Sequence, residues 1–207
     1  MPFATVCISG EDGAGAAEAA QAAAQALGLR VIDEDIITKA AIEAGVEREV
    51  VADVEQSRSK LVRLLESMSG MATLGTGYAV ADPAAYGQPA SDALRGLIRS
   101  VIEDTAATGG VMIVSHAASL ALADRPDVLR VLITAPPEVR GERLAGSSDL
   151  GGDEALKQIR RSDSNRADYI KRFYDVDSEQ ATHYDLVINT DRVPPQQAAA
   201  LIVSAAG

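Results

Sequence analysis

The run Gly10-Glu11-Asp12-Gly13-Ala14-Gly15 lies between an apolar stretch, Phe3 to Ser9, and an alanine-rich segment beginning at Ala16. A strand that feeds a glycine turn and then a helix N-terminus gathers backbone N–H groups around an anion, and glycine lets the chain approach it closely. A phosphate group is the expected guest. The GxxxxGK[ST] pattern would add a lysine for the β/γ-phosphates and a hydroxyl for Mg²⁺. Those two places hold Ala16 and Ala17, and the first lysine of the chain is Lys39. Glu11 and Asp12 bring negative charge into the loop, each worth about 3 kcal/mol of repulsion toward a phosphate roughly 5 Å away at an effective dielectric of ~20. The alternative is a glycine turn kept only for strand-to-helix packing.

A second constellation is basic. Arg140 and Arg143 follow an apolar run, and Lys157, Arg160, Arg161, Arg166, Lys171 and Arg172 gather in one polar segment with Asp163 and Asp168. Guanidinium groups suit bidentate phosphate recognition. The competing reading is a solvated helix whose charges pair internally, Arg160 with Asp163 at i, i+3. The triplet Asp33-Glu34-Asp35 could hold Mg²⁺ or cap a helix starting near Ile36. His116 reads as a strand-end hydrogen-bonder, mostly neutral at pH 7 with an ordinary pKa near 6.5. Two histidines and one cysteine, far apart in the chain, form no zinc pattern.

Five continuous apolar runs must position these groups: Phe3–Ser9, Leu29–Ile32, Val111–Val114, Val128–Ile133 and Leu186–Asn189. Helical segments alternate with them at Ala16–Leu27, stopped by Gly28, and at Asp92–Ala107, Ala117–Ala123, Pro137–Ala145, Asp153–Tyr174 and Pro194–Ala206. Val/Ile/Leu runs without polar alternation demand a parallel sheet covered on both faces, so the class is a doubly wound α/β fold in one domain, 1–207. Helical patterns at Asp35–Ala44 and Val46–Met68 have no neighbouring strands and form an insertion at about 35–90. The helix 46–68 packs on the sheet's edge or offers a homodimer seam. Gly70–Ser91, rich in glycine and proline, reads as a long loop that is mobile or functional.

Net charge is −11, from 19 basic and 30 acidic residues, which disfavours nucleic acid and anionic lipid as partners. Aromatic residues make up 3% and hydrophobic residues 47%, so the core must be aliphatic. Cys7 within the first apolar run reads as a small buried residue in a reducing, cytoplasmic setting. No stretch has the apolar length of a membrane span or the charge pattern of a signal peptide.

Together the runs 8–15 and 31–37, Val131-Leu132-Ile133-Thr134-Ala135-Pro136 with Arg140 and Arg143, Asp163-x-x-Arg166-x-x-Tyr169 and Tyr184–Thr190 resemble the cytidylate kinase-like family of P-loop nucleoside monophosphate kinases. The resemblance implies a five-stranded parallel sheet, a helical insertion, a small lid at about 146–175, and transfer of the ATP γ-phosphoryl group with Mg²⁺ to a CMP-like acceptor. It implies ATP phosphates on Gly10, Gly13, Ala14, Gly15, Ala16 and Ala17. Arg140, Arg143, Arg160, Arg161 and Arg166 would then be the phosphate-neutralising arginines, with the acceptor near Asp33, Asp35, Arg95 and His116. The family often carries arginine before the loop glutamate, glycine at the lysine place and arginine after it; here Gly10, Ala16 and Ala17 stand there. A Gly-Arg-Gly often follows the third strand, where this chain has Ser115-His116-Ala117.

Three functions compete: an active kinase, an inactive kinase-like binding or regulatory module, and an NAD(P)-binding protein in which Asp33 takes the ribose hydroxyl. The last lacks any Tyr-x-x-x-Lys pair or Cys/His centre for hydride chemistry.

Overall fold

A computed structural model describes residues 3–33, 88–115 and 117–207, with 88–95 as backbone. The described elements run β1 (Thr5–Gly10), α1 (Ala16–Leu27), β2 (Arg30–Asp33), α2 (Gln88–Thr108), β3 (Val111–Val114), α3 (Ala118–Ala121), β4 (Val128–Thr134), α4 (Pro137–Ser147), α5 (Gly152–Tyr174), a 3₁₀ turn (Ala181–His183), β5 (Leu186–Asn189) and α6 (Pro195–Ala206). The chain divides into two compact units, 1–34 with 102–207, and 35–101. The expected helices 35–44 and 46–68, and with them the homodimer seam, lie outside the described residues. Most of the expected loop 70–91 does too, but Gln88–Ser91 belongs to α2. Pro89 sits in that helix's first turn, where a missing N–H breaks no intrahelical bond, so its presence concealed a helix start.

All strands are parallel, in the order β2-β3-β1-β4-β5. The pairing is in register from Thr5 to Ile8 against Val111–Val114, and from Thr5 to Gly10 against Val128–Ile133. The chain leaves β1 for one side of the sheet and β4 for the other, so the crevice beyond their carboxyl ends is the topological switch point of the fold. β1 is buried from Thr5 to Ser9, as a central strand covered on both faces requires.

The core is aliphatic. α1 buries Ala19, Ala20, Ala23 and Ala24, and α6 buries Ala198, Ala199, Ile202 and Ala206, all in one cluster with Val6, Ile8, Val131 and Ile133. Small side chains let these two helices lie close together on the sheet. Gly28 ends α1 in the left-handed conformation at φ 67°, its N–H donating to Ala24 O. α5 lies against α4 so tightly at Gly141 that a Cβ there would be 3.3 Å from Leu156 Cα.

Cys7 is fully buried, and Ser119 Oγ donates to its Sγ at 3.5 Å. Burial pushes this thiol up to about 12. A group raised in the folded state contributes stability that is intact below the unfolded thiol pKa and is lost as pH climbs toward the folded value. The protein is expected to ignore a disulfide reagent at pH 8 until it unfolds, and to lose stability above about pH 9; rapid native-state labelling would contradict the burial.

Candidate functional site

The β1–α1 loop keeps the backbone form of an anion cradle. Gly13 and Gly15 have φ of 76° and 80°, the left-handed region where a Cβ is strained. At Gly13 a Cβ would also meet Arg140 O at 2.8 Å, so glycine is doubly required there. Gly10 is required for a different reason: its Cβ would stand 2.2 Å from the Cβ of Ala16. Ala14 is buried; Ala16 is half-buried and Ala17 exposed at the start of α1.

Both loop carboxylates have partners. Thr134 Oγ1 donates to Glu11 Oε2 at 2.6 Å, and Arg140 Nε lies 3.5 Å from the same oxygen. Ser162 Oγ donates to Asp12 Oδ2 at 2.6 Å. The acids thus tie the loop to β4, α4 and α5, and the charge repulsion expected from the sequence is partly met by neighbours.

The arginines are engaged as well. Arg140, 2% exposed, makes a bidentate pair with Asp163 at 2.8 and 2.7 Å and donates through Nε to Ala135 O at 2.8 Å. Burial works against its charge, but the Asp163 hydrogen bonds and the charges of Glu11, Asp163 and Asp12 outweigh it and raise its pKa further. Arg166, its side chain 8% exposed, pairs with Glu179 through Nε and Nη2 at 2.9 and 2.6 Å, and Tyr184 OH donates to the same carboxylate. Arg143 donates to Gly13 O, Thr190 Oγ1 and Thr190 O.

Arg160 and Arg161 project from the exposed face of α5. The Arg160 guanidinium is 3.9 Å from Glu138. The expected Arg160–Asp163 pairing is corrected by this arrangement, because Asp163 turns inward to Arg140. Asp33 ends β2, with β3 between it and β1. Asp35 and His116 lie outside the described residues, as does the side chain of Arg95 in α2.

Beyond the strand ends lies a cleft of about 520 Å³, lined among others by Glu11, Pro136, Arg140, Asp163, Arg166 and Glu179. Its acids and arginines are largely paired with one another. Among the described residues no three His, Cys, Asp or Glu side chains converge as metal ligands, and Ala17 has no hydroxyl to offer. No described helix is long and apolar enough to cross a membrane.

Thr134, Thr190, Ser162 and Glu179 were not singled out by sequence reasoning as site residues. The two threonines carry a readable signal, each standing at or just past the carboxyl end of a strand that must face the loop. Ser162 and Glu179 carry none, since their partners are remote in the chain.

A parallel sheet of this order, with a glycine loop at the mouth of its central strand and arginines arriving from the helices after β4, defines a P-loop kinase type of α/β protein. The model of the cytidylate kinase-like family matches residues 5–192, and the chain belongs to that family. The cytidylate kinase of Sulfolobus acidocaldarius is 32% identical over 75 residues, which cover 36% of this chain and 41% of that enzyme. The matched stretch thus spans about two-fifths of that relative's length. An uncharacterized protein from Eubacterium ventriosum has the same fold at a TM-score of 0.67 and 17% identity, covering 100% of this chain and 98% of that one. Shikimate kinase from Bacteroides thetaiotaomicron aligns at a TM-score of 0.50 and 16% identity over 97% of this chain and 94% of its own. Both likenesses concern the fold alone.

Proposed function

We propose that this chain is a nucleotide-binding, kinase-like protein that holds nucleoside phosphates at the β1–α1 loop and has lost most of its capacity to transfer them. The observation that carries this reading is the fate of Arg140 and Arg166: both are nearly buried and both are bound bidentately to carboxylates. Phosphoryl transfer requires cations on the migrating group, whereas binding needs only the loop amides and a modest field. Mg²⁺ accompanying a nucleotide supplies charge screening on the phosphates and takes few protein ligands.

A second reading, an active kinase with a CMP-like acceptor, is favoured by Arg160 and Arg161, which are exposed on α5 within the proposed lid, about 146–175. Family membership supports nucleotide chemistry under either reading. Thermal unfolding with ATP, CMP or NAD separates the outcomes cheaply. ATP at about 100 times its dissociation constant is expected to add about 2.7 kcal/mol of stability, and NAD none. Stabilisation by NAD alone would replace the proposal with a dinucleotide-binding role.

A further inference from the structure

Three successive carbonyls of the loop are held from one side. Asp12 O accepts from Arg140 Nη1 at 3.3 Å, Gly13 O from Arg143 Nη1 at 3.2 Å and Ala14 O from Thr190 Oγ1 at 2.7 Å. The last two donors are themselves linked. Arg143 Nη1 donates to Thr190 Oγ1 at 3.0 Å and Nη2 to Thr190 O at 2.6 Å, so the Thr190 hydroxyl receives one proton and offers its own to Ala14 O at 2.7 Å, with Thr134 O a longer acceptor at 3.3 Å. The backbone of Thr190 is fixed in turn, its N–H donating to Thr134 O at 2.8 Å.

A trans peptide unit points its C=O and the following N–H in opposite directions. Anchoring the carbonyls of Asp12, Gly13 and Ala14 therefore turns the N–H groups of Gly13, Ala14 and Gly15 away from the arginine side. Ala14 N–H closes a turn onto Glu11 O at 3.0 Å. Among the described residues, the Gly13 and Gly15 N–H groups donate to no carbonyl.

Arg143 also differs electrically from its neighbours. Arg140 and Arg166 are paired with carboxylates. Among the described residues Arg143 bonds only neutral oxygens, so its charge is not cancelled by a direct ion pair. Its bond to Gly13 O falls on the Gly13–Ala14 peptide, whose N–H is given to Glu11 O, and so braces the turn; through Thr190 it reaches the Ala14–Gly15 peptide, whose carbonyl it polarises in the sense that favours an anion at the Gly15 N–H.

We infer that Arg143, bracing the Gly13 carbonyl and acting through Thr190 on the Ala14–Gly15 peptide, is a positioning residue that presents the Gly15 amide and supplies from behind the positive charge that Ala16 and Ala17 do not supply in front. The inference rests on the proposed function in that the anion is taken to be a nucleotide phosphate. Arg143 touches the loop and not the phosphate, so its effect passes entirely through backbone geometry and field.

The test compares wild type with R143Q, R143K and T190V, using R192Q as a charge-matched control at an arginine side chain that is 92% exposed. Calorimetry with inorganic tripolyphosphate and with ATP reads affinity. Amide ¹⁵N shifts of Gly13 and Gly15 in ligand-free protein read the loop directly. R143Q is expected to lower tripolyphosphate affinity about tenfold or more, R143K to recover most of it, and R192Q to stay within about twofold. T190V, which keeps the charge, is expected to displace the Gly15 shift and to weaken binding less than R143Q. Wild-type affinity and unchanged shifts in R143Q would overturn the brace, and equal losses in R143K and R143Q would overturn the charge assignment. If R143Q does not fold, R143K and T190V still decide on the same readouts. A wild type that binds neither tripolyphosphate nor ATP overturns the proposed function instead, and the ligand-free shifts then decide the brace by themselves.

Discussion

Purified protein mixed with ATP, Mg²⁺ and CMP is expected to release ADP about four to six decades more slowly than an ordinary kinase. The three cationic groups that the family resemblance implies are absent, at Gly10, at Ala17 and after β3, where Ser115-His116-Ala117 stands. A single donor to developing transition-state charge is worth about 2.7–4 kcal/mol, but such losses are not additive. Counting only two of them gives about 5–8 kcal/mol, and each 1.36 kcal/mol is a decade of rate. Substitution by nearby arginines is opposed by their existing bonds: a phosphate would have to take Arg140 from Asp163 at 2.7 Å and Arg166 from Glu179 at 2.6 Å. The measurement is a coupled assay for ADP at high protein concentration, with each nucleoside monophosphate in turn. Turnover of 1 s⁻¹ or faster, the ordinary kinase range of roughly 1–100 s⁻¹, would establish the active reading and sink the proposed one.

The second large effect is on stability. Asp163→Asn is expected to destabilise the fold by about 3–5 kcal/mol, because it leaves Arg140 charged and 2% exposed with only the more distant Glu11 carboxylate, 3.5 Å from its Nε. An asparagine oxygen still accepts one of the two bonds, which places the result toward the lower end. For a chain of this size that corresponds to a fall in Tm of roughly 6–12 °C. The double variant Arg140→Met with Asp163→Leu is expected to recover most of the loss, since it removes both charges instead of stranding one. Thermal or urea unfolding checks this. A shift below about 0.5 kcal/mol for Asp163→Asn would show that solvent already screens the pair.

The strands and the class of the fold were legible because a parallel sheet covered on both faces leaves an unbroken Val/Ile/Leu signature, and Gly28 marks its helix end in the same local way. The glycine loop was legible for the same reason. The pairing of the charges was not, since a side chain's partner is set by tertiary placement: Thr190 meets Ala14 and Ser162 meets Asp12 across most of the chain. Asp163 is instructive. Read among basic neighbours it looked like a surface partner for Arg160, yet it falls four residues after buried Ile159 and Arg166 falls four before buried Ile170. Both belong to the inward stripe of α5, so the helical period already held the answer that charge counting obscured.

The contact between Gly10 and Ala16 also constrains the order in which this loop can change. The family resemblance implies arginine at the first of these places and glycine at the second, and here the bulk stands at the second. A side chain cannot be added at position 10 while the methyl group of Ala16 occupies that space. A guanidinium at position 10 therefore requires Ala16→Gly as its companion, a step that adds no charge by itself, so neither substitution alone can supply the missing cation.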